Sequence, residues 1–143
     1  MNMLQVPGMV GLFLRTPVVK TVGYFDESLG PGAGTPWGAG EDTDYYLRVF
    51  QAGFNLYSDS DIVVCHPAAT KYYLERSDLG RSYRYAAGRT RVWKRHHIPL
   101  WYFIYELFRS CGGVVLSLMQ AQRYKAYWHL GAFRGKLRGW FSS

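Results

Sequence analysis

Three carboxylates, Glu41, Asp42 and Asp44, stand within four positions of the stretch GAGEDTDYY, directly after a loop made almost wholly of glycine, proline and small residues. Carboxylates so placed do one of two things. At a helix start they are stabilised by the macrodipole and accept hydrogen bonds from the free amides of the first turn. Beside a bound hydroxyl they act as a general base. Three neighbours favour chemistry: Trp37 in the preceding loop, a second acidic turn FDESLG upstream, and His66 at the end of an apolar run downstream.

The elements that must position these residues follow from pattern. MVGLFLRT reads as a short buried strand, followed by a brief helical turn through PVVKTVG that Gly23 closes. Tyr24 to Gly40 is a glycine-rich loop. EDTDYYLRVFQAG predicts a helix, with acids in its first turn, Tyr46 and Phe50 at i and i+4, and Gly53 where a stop belongs. FNLYSDSDIVVCHP predicts a strand, a polar turn and a second strand that ends at His66, since Pro67 discourages further pairing. Beyond it, residues 72–97 and 98–119 read as two helical stretches separated by Pro99, with a shorter one near RYKAYWHLGAF. The expected fold class is therefore α/β over residues 1–70, then all helical over 71–143.

Charge follows the same division. The chain of 143 residues has a net charge of +7, yet residues 1–70 carry 3 basic and 7 acidic side chains, whereas residues 71–143 carry 14 and 3. An acidic first part suits a polar reaction centre or a metal. A basic, aromatic-rich second part suits a phosphate-bearing surface such as anionic lipid or nucleic acid. Cys65 and Cys111 are too few for a disulfide framework and point to a reducing compartment. The opening MNMLQVPGMVG has no basic n-region and no continuous apolar run, so the expected location is cytoplasmic.

From VGLFLRTPVVKTVGYFDESLG through GEDTDYYLRVFQAG to DIVVCHP, about residues 8 to 67, the chain closely resembles the C-terminal half of the catalytic domain of inverting family 2 glycosyltransferases of the nucleotide-sugar-binding A type. The resemblance implies a partial GT-A fold. It also implies an enzyme that transfers a sugar from a nucleotide-sugar donor to the hydroxyl of a glycan or lipid-linked acceptor, in polysaccharide or glycolipid biosynthesis. In its terms Asp42 is the catalytic base and Glu41 positions the acceptor or supports the helix start. Trp37 and Asp44 line the acceptor side, and His66 is a ligand to a divalent cation, Mn2+ or Mg2+. Lys71 and Arg76, with Arg81 beyond them, are placed to cover the departing diphosphate.

The family carries an Asp-x-Asp motif in a nucleotide-binding half before this region, and no such motif stands upstream of Asp26; DSD at 59–61 follows the acid cluster and takes no metal role. The expectation is therefore a C-terminal portion that works with a complementing N-terminal half and does not turn over alone. A rival from another class is a non-catalytic half-domain that binds a membrane or a complete transferase. A nucleic-acid module ranks below both, because no recognised nucleic-acid motif accompanies the basic residues, and no nucleic-acid partner is expected.

Residues 98–119 raise the question of a membrane span. Glu106 and Arg109 interrupt the apolar run, each costing roughly 2.5–3.5 kcal/mol near a bilayer centre, and Gly112 with Gly113 weakens the helix. Their i, i+3 spacing lets the two charges pair. The expected arrangement is a helix lying on the cytoplasmic face of a membrane or packed on the domain, with aromatic rings at headgroup depth and basic side chains at phosphates.

Overall fold

Pro17, set in the first turn where its missing N–H costs nothing, begins the first helix, α1 (Thr16–Val22). Gly23 ends it with φ 81°, donating its N–H to the Val19 carbonyl. The second helix, α2 (Glu41–Gln51), opens on the three acids. It closes where Gly53, at φ 83°, donates to the Phe50 carbonyl and Phe54 donates to that of Val49. Then come α3 (Leu79–Arg95), α4 (Leu100–Met119) and α5 (Arg123–Phe141). Pro99 separates α3 from α4 as its position in the sequence predicts. The computed structural model describes residues 11–57, 61, 63–65 and 79–142.

No strand occurs among the described residues, and this overturns the α/β, partial GT-A expectation: the described part is all helical. The apolar runs read as strands have the right composition but lack the right surroundings. Phe13, Leu14, Tyr57, Val63 and Val64 are exposed. A strand needs a neighbouring edge for its amides and carbonyls and a face to bury. The described parts of these runs have no ladder hydrogen bonds.

The described residues form two compact units, one holding α1 and α2, the other holding the loop Glu27–Gly40 with α3, α4 and α5. In the second unit α5 packs on both α3 and α4. The crossing with α3 is made backbone to backbone. A β-carbon at Gly135 would overlap the Tyr83 carbonyl oxygen, and one at Gly139, a turn later, would overlap that of Ala87. Gly113 of α4 likewise leaves room for the ring of His129 on α5. Apolar packing completes the unit: Phe103 stacks on Trp140 at 4.3 Å, and Trp93 meets Tyr102 edge-on at 5.1 Å.

Between α4 and α5 the interior is ionic. Lys136 is buried, and its ammonium donates to the Glu106 carbonyl at 2.6 Å, to Glu106 Oε2 at 2.8 Å and to Ser110 Oγ at 3.0 Å. Arg109 pairs with Glu106 Oε1, as the i, i+3 spacing predicts. Burial pushes the Glu106 carboxyl up, but the hydrogen bond and charge of Lys136, aided by Arg109, outweigh it and hold the group below its ordinary value. Burial lowers Lys136, a shift Glu106 only partly offsets and Arg109 and Arg89 reinforce.

Because these polar groups face inward, α4 is inverted relative to an ordinary amphipathic helix. Its buried residues are Phe103, Glu106, Ser110 and Ser117, while its exposed ones are mainly apolar. Among the described residues no helix is long and apolar enough to cross a membrane.

The close crossing gives a direct check. Gly135→Leu and Gly139→Leu should each destabilise the protein by about 1–3 kcal/mol or more through overpacking. Gly112→Ala, where a β-carbon meets nothing within 4 Å, should stabilise by roughly 0.5–1 kcal/mol through helix propensity. Thermal unfolding followed by circular dichroism reads both, and a Gly135→Leu protein melting with the wild type would refute the crossing.

Candidate functional site

The acid cluster sits at the start of α2, and its three carboxylates have different surroundings. Asp44 is 1% exposed and accepts from Arg48 Nε at 2.8 Å, one turn along the helix. The same guanidinium donates Nη1 to the Val22 carbonyl at 2.8 Å and Nη2 to the Tyr24 carbonyl at 2.9 Å. Val22 is the last residue of α1, so Arg48 satisfies a carbonyl that the helix end leaves without an intrahelical donor. Phe25 stacks on Tyr45 at 4.3 Å, and the Arg48 guanidinium lies over the same Tyr45 ring, 5.1 Å from its centroid. One guanidinium thus ties the exit of α1 to α2, and Asp44 aims it.

Glu41 and Asp42 occupy the first turn of α2 and are half-buried, with access to solvent that Asp44 lacks. Burial, reinforced by the Asp42 charge, pushes the Tyr46 hydroxyl above its ordinary value, so Tyr46 stays a neutral hydrogen-bonding group at physiological pH. Chemically, the arrangement offers carboxylates at a helix N-terminus, with a part-buried Asp44–Arg48 ion pair in the same helix.

Trp37 belongs to the loop of the helical unit. Its carbonyl accepts from the Gly30 N–H at 2.8 Å, its N–H donates to Thr35 Oγ1 at 3.1 Å, and Thr35 donates to the Ser28 carbonyl at 2.6 Å. Arg91 of α3 stands over its ring at 4.7 Å. Gly38 donates to the Arg84 carbonyl at 3.1 Å, and its lack of a side chain lets the loop lie against Arg84. The loop and α3 border an open cavity of about 520 Å³, lined by residues 30–35, Gly38, Arg81, Arg84 and Tyr85. Arg81 donates to the Tyr85 hydroxyl at 2.8 Å and lies 4.6 Å from the centroid of its ring. Two guanidinium groups beside a glycine loop suit oxygen-rich anions such as phosphate.

The structure brings Glu41, Asp42 and Asp44 together on one helix turn. Trp37 stands in the loop of the other unit, and His66, Lys71 and Arg76 lie outside the described residues. Among the described residues no three His, Cys, Asp or Glu side chains gather as a metal ion would require, and His66, the expected ligand, lies outside them. Sequence reasoning missed Arg84 and the carbonyl-binding task of Arg48. The i, i+3 spacing of Arg81 and Arg84 on a predicted helix was the available signal for the first. The chain matches no protein-family model, no curated protein and no solved structure.

Removing the carboxylate that aims Arg48 tests the site's scaffold. Asp44→Ala should lower stability by about 3 kcal/mol, because it strands a partly buried guanidinium. Thr43→Ala, its neighbour, should stay within about 0.5 kcal/mol of the wild type. Equal urea midpoints for wild type and Asp44→Ala would show that the clasp contributes nothing.

Proposed function

We propose that the chain contributes the acceptor side of an inverting sugar transfer, with Asp42 as the general base. The observation that supports this reading is the setting of the acid cluster: Asp44 is buried and bonded to Arg48, while Asp42 and Glu41 are half-buried in the first turn of α2. The proposal rests on these residues and their local setting, and not on a GT-A sheet.

The chemistry is a single displacement. Asp42 takes the proton of the acceptor hydroxyl as its oxygen attacks the anomeric carbon, and the bond from that carbon to the nucleoside diphosphate breaks on the opposite face. The departing diphosphate carries the negative charge away and needs cationic or amide donors. Separately, within the other unit, the glycine loop with Arg81 and Arg84 offers donors that suit a phosphorylated ligand. The donor is a nucleotide sugar, the acceptor a glycan or lipid-linked hydroxyl, and a complementing nucleotide-binding half supplies donor recognition.

Asp42→Asn keeps shape and removes the base. In the complemented enzyme, release of nucleoside diphosphate on sugar transfer should fall by about 10²–10⁴-fold, while far-UV circular dichroism and the unfolding midpoint stay at wild-type values. Turnover within a few-fold of the wild type would rule Asp42 out as the base.

A further inference from the structure

The outward side of α4 is apolar along its whole length. Trp101, Ile104, Tyr105, Phe108, Val115, Leu116 and Met119 recur at helical spacing and are all exposed, with Trp101 at 68%, Phe108 at 72% and Met119 at 81%. They form a stripe about 27 Å long at 1.5 Å per residue. Arg109 is the only charged side chain of α4 on the exposed side, and it sits at the stripe's edge beside Glu106. Continuous apolar exposure on this scale marks an interaction surface.

What covers it is indicated by charge. From residue 79 to the C-terminus there are twelve Lys and Arg and a single acid, Glu106, which is buried and paired. Exposed basic residues bracket the stripe in sequence: Lys94 and Arg95 end α3 just before it, and Arg123 and Lys125 begin α5 just after it. On α5 exposed Tyr124, Tyr127, Leu130 and Phe141 alternate with exposed Arg123, Arg134 and Arg138. A partner that takes both exposed apolar side chains and positive charge is an anionic bilayer, with rings seated at the headgroup level and guanidinium groups at phosphates.

We infer that the outer face of α4 lies in the plane of an anionic membrane surface, inserting Trp101, Ile104, Phe108, Val115 and Met119 among the lipids. The inward-facing Glu106, Ser110 and Ser117 stay bonded or buried within the protein, so the helix rests in the interface and does not span it. This attachment is independent of the role given to Asp42.

The test is flotation of the full chain with vesicles of phosphatidylcholine alone and of phosphatidylcholine mixed with phosphatidylglycerol. Binding is expected to the mixed vesicles, weakening as salt rises. The double variant Trp101→Ser, Phe108→Ser should bind roughly tenfold or more weakly with an unchanged circular dichroism spectrum, since both side chains are exposed. Arg123→Ala with Lys125→Ala should reduce binding to the anionic vesicles only. The inference is overturned if the double serine variant floats as the wild type does. It is also overturned if neither vesicle binds, whether the chain then sediments as a monomer or as a dimer that the serine variant dissociates, the latter assigning the face to a second copy.

Discussion

Burying an ammonium group constrains everything around it, and Lys136 is the point on which the helical unit turns. A lysine has three donors and no acceptor, and here all three are used: the Glu106 carboxylate, the Glu106 carbonyl and the Ser110 hydroxyl. Desolvating such a pair costs several kcal/mol per ion, which is recovered only with this degree of satisfaction. The requirement fixes the rotation of α4 about its axis. Glu106 and Ser110 must point at α5, Ser117 follows them inward, and the apolar residues are left facing out. The exposed stripe on α4 is thus a consequence of the buried charge.

The smaller unit uses the same device. Arg48 bonds one carboxylate, Asp44, and two backbone carbonyls, those of Val22 and Tyr24. In both units a cation joins a carboxylate to a carbonyl of the main chain, so one side chain fixes the relation of two segments. The difference lies in geometry. The planar guanidinium fork reaches three acceptors spread over two chain segments, whereas the compact ammonium gathers acceptors from a single turn of α4. For the candidate site the result is that Asp44 serves as scaffold.

Much of the helical architecture was legible in the sequence. The acids before an apolar repeat and Gly53 after it mark α2, Pro99 marks the break between α3 and α4, and the spacing of Glu106 and Arg109 foretells their pairing. The strands were misread because Phe13, Leu14, Val63 and Val64 carry β-type composition, while strand formation depends on a partner edge that local sequence does not encode. Glycines four apart in a helix, as at Gly135 and Gly139, signal a close crossing, but nothing along the helix marks the intervening Lys136 as buried. Its burial is a property of the α4–α5 pairing, which pattern along one helix cannot reveal. Within the site, the acids at the start of α2 were readable and the use of Asp44 as scaffold was not, since that depends on which carboxylate Arg48 reaches.

The most direct test of this account is a double-mutant cycle on Glu106 and Lys136, read by chemical denaturation. Glu106→Gln and Lys136→Met should each cost about 3–5 kcal/mol by leaving a buried charge alone, and the double variant should cost far less than the sum. The wild type's advantage over the double variant should also shrink in acid, because a carboxyl held below its ordinary value of 4.5 contributes stability above that value and loses it as pH falls through the lowered one. Costs that add to within about 0.5 kcal/mol, with no difference in acid response, would contradict the claim that this pair sets the orientation of α4.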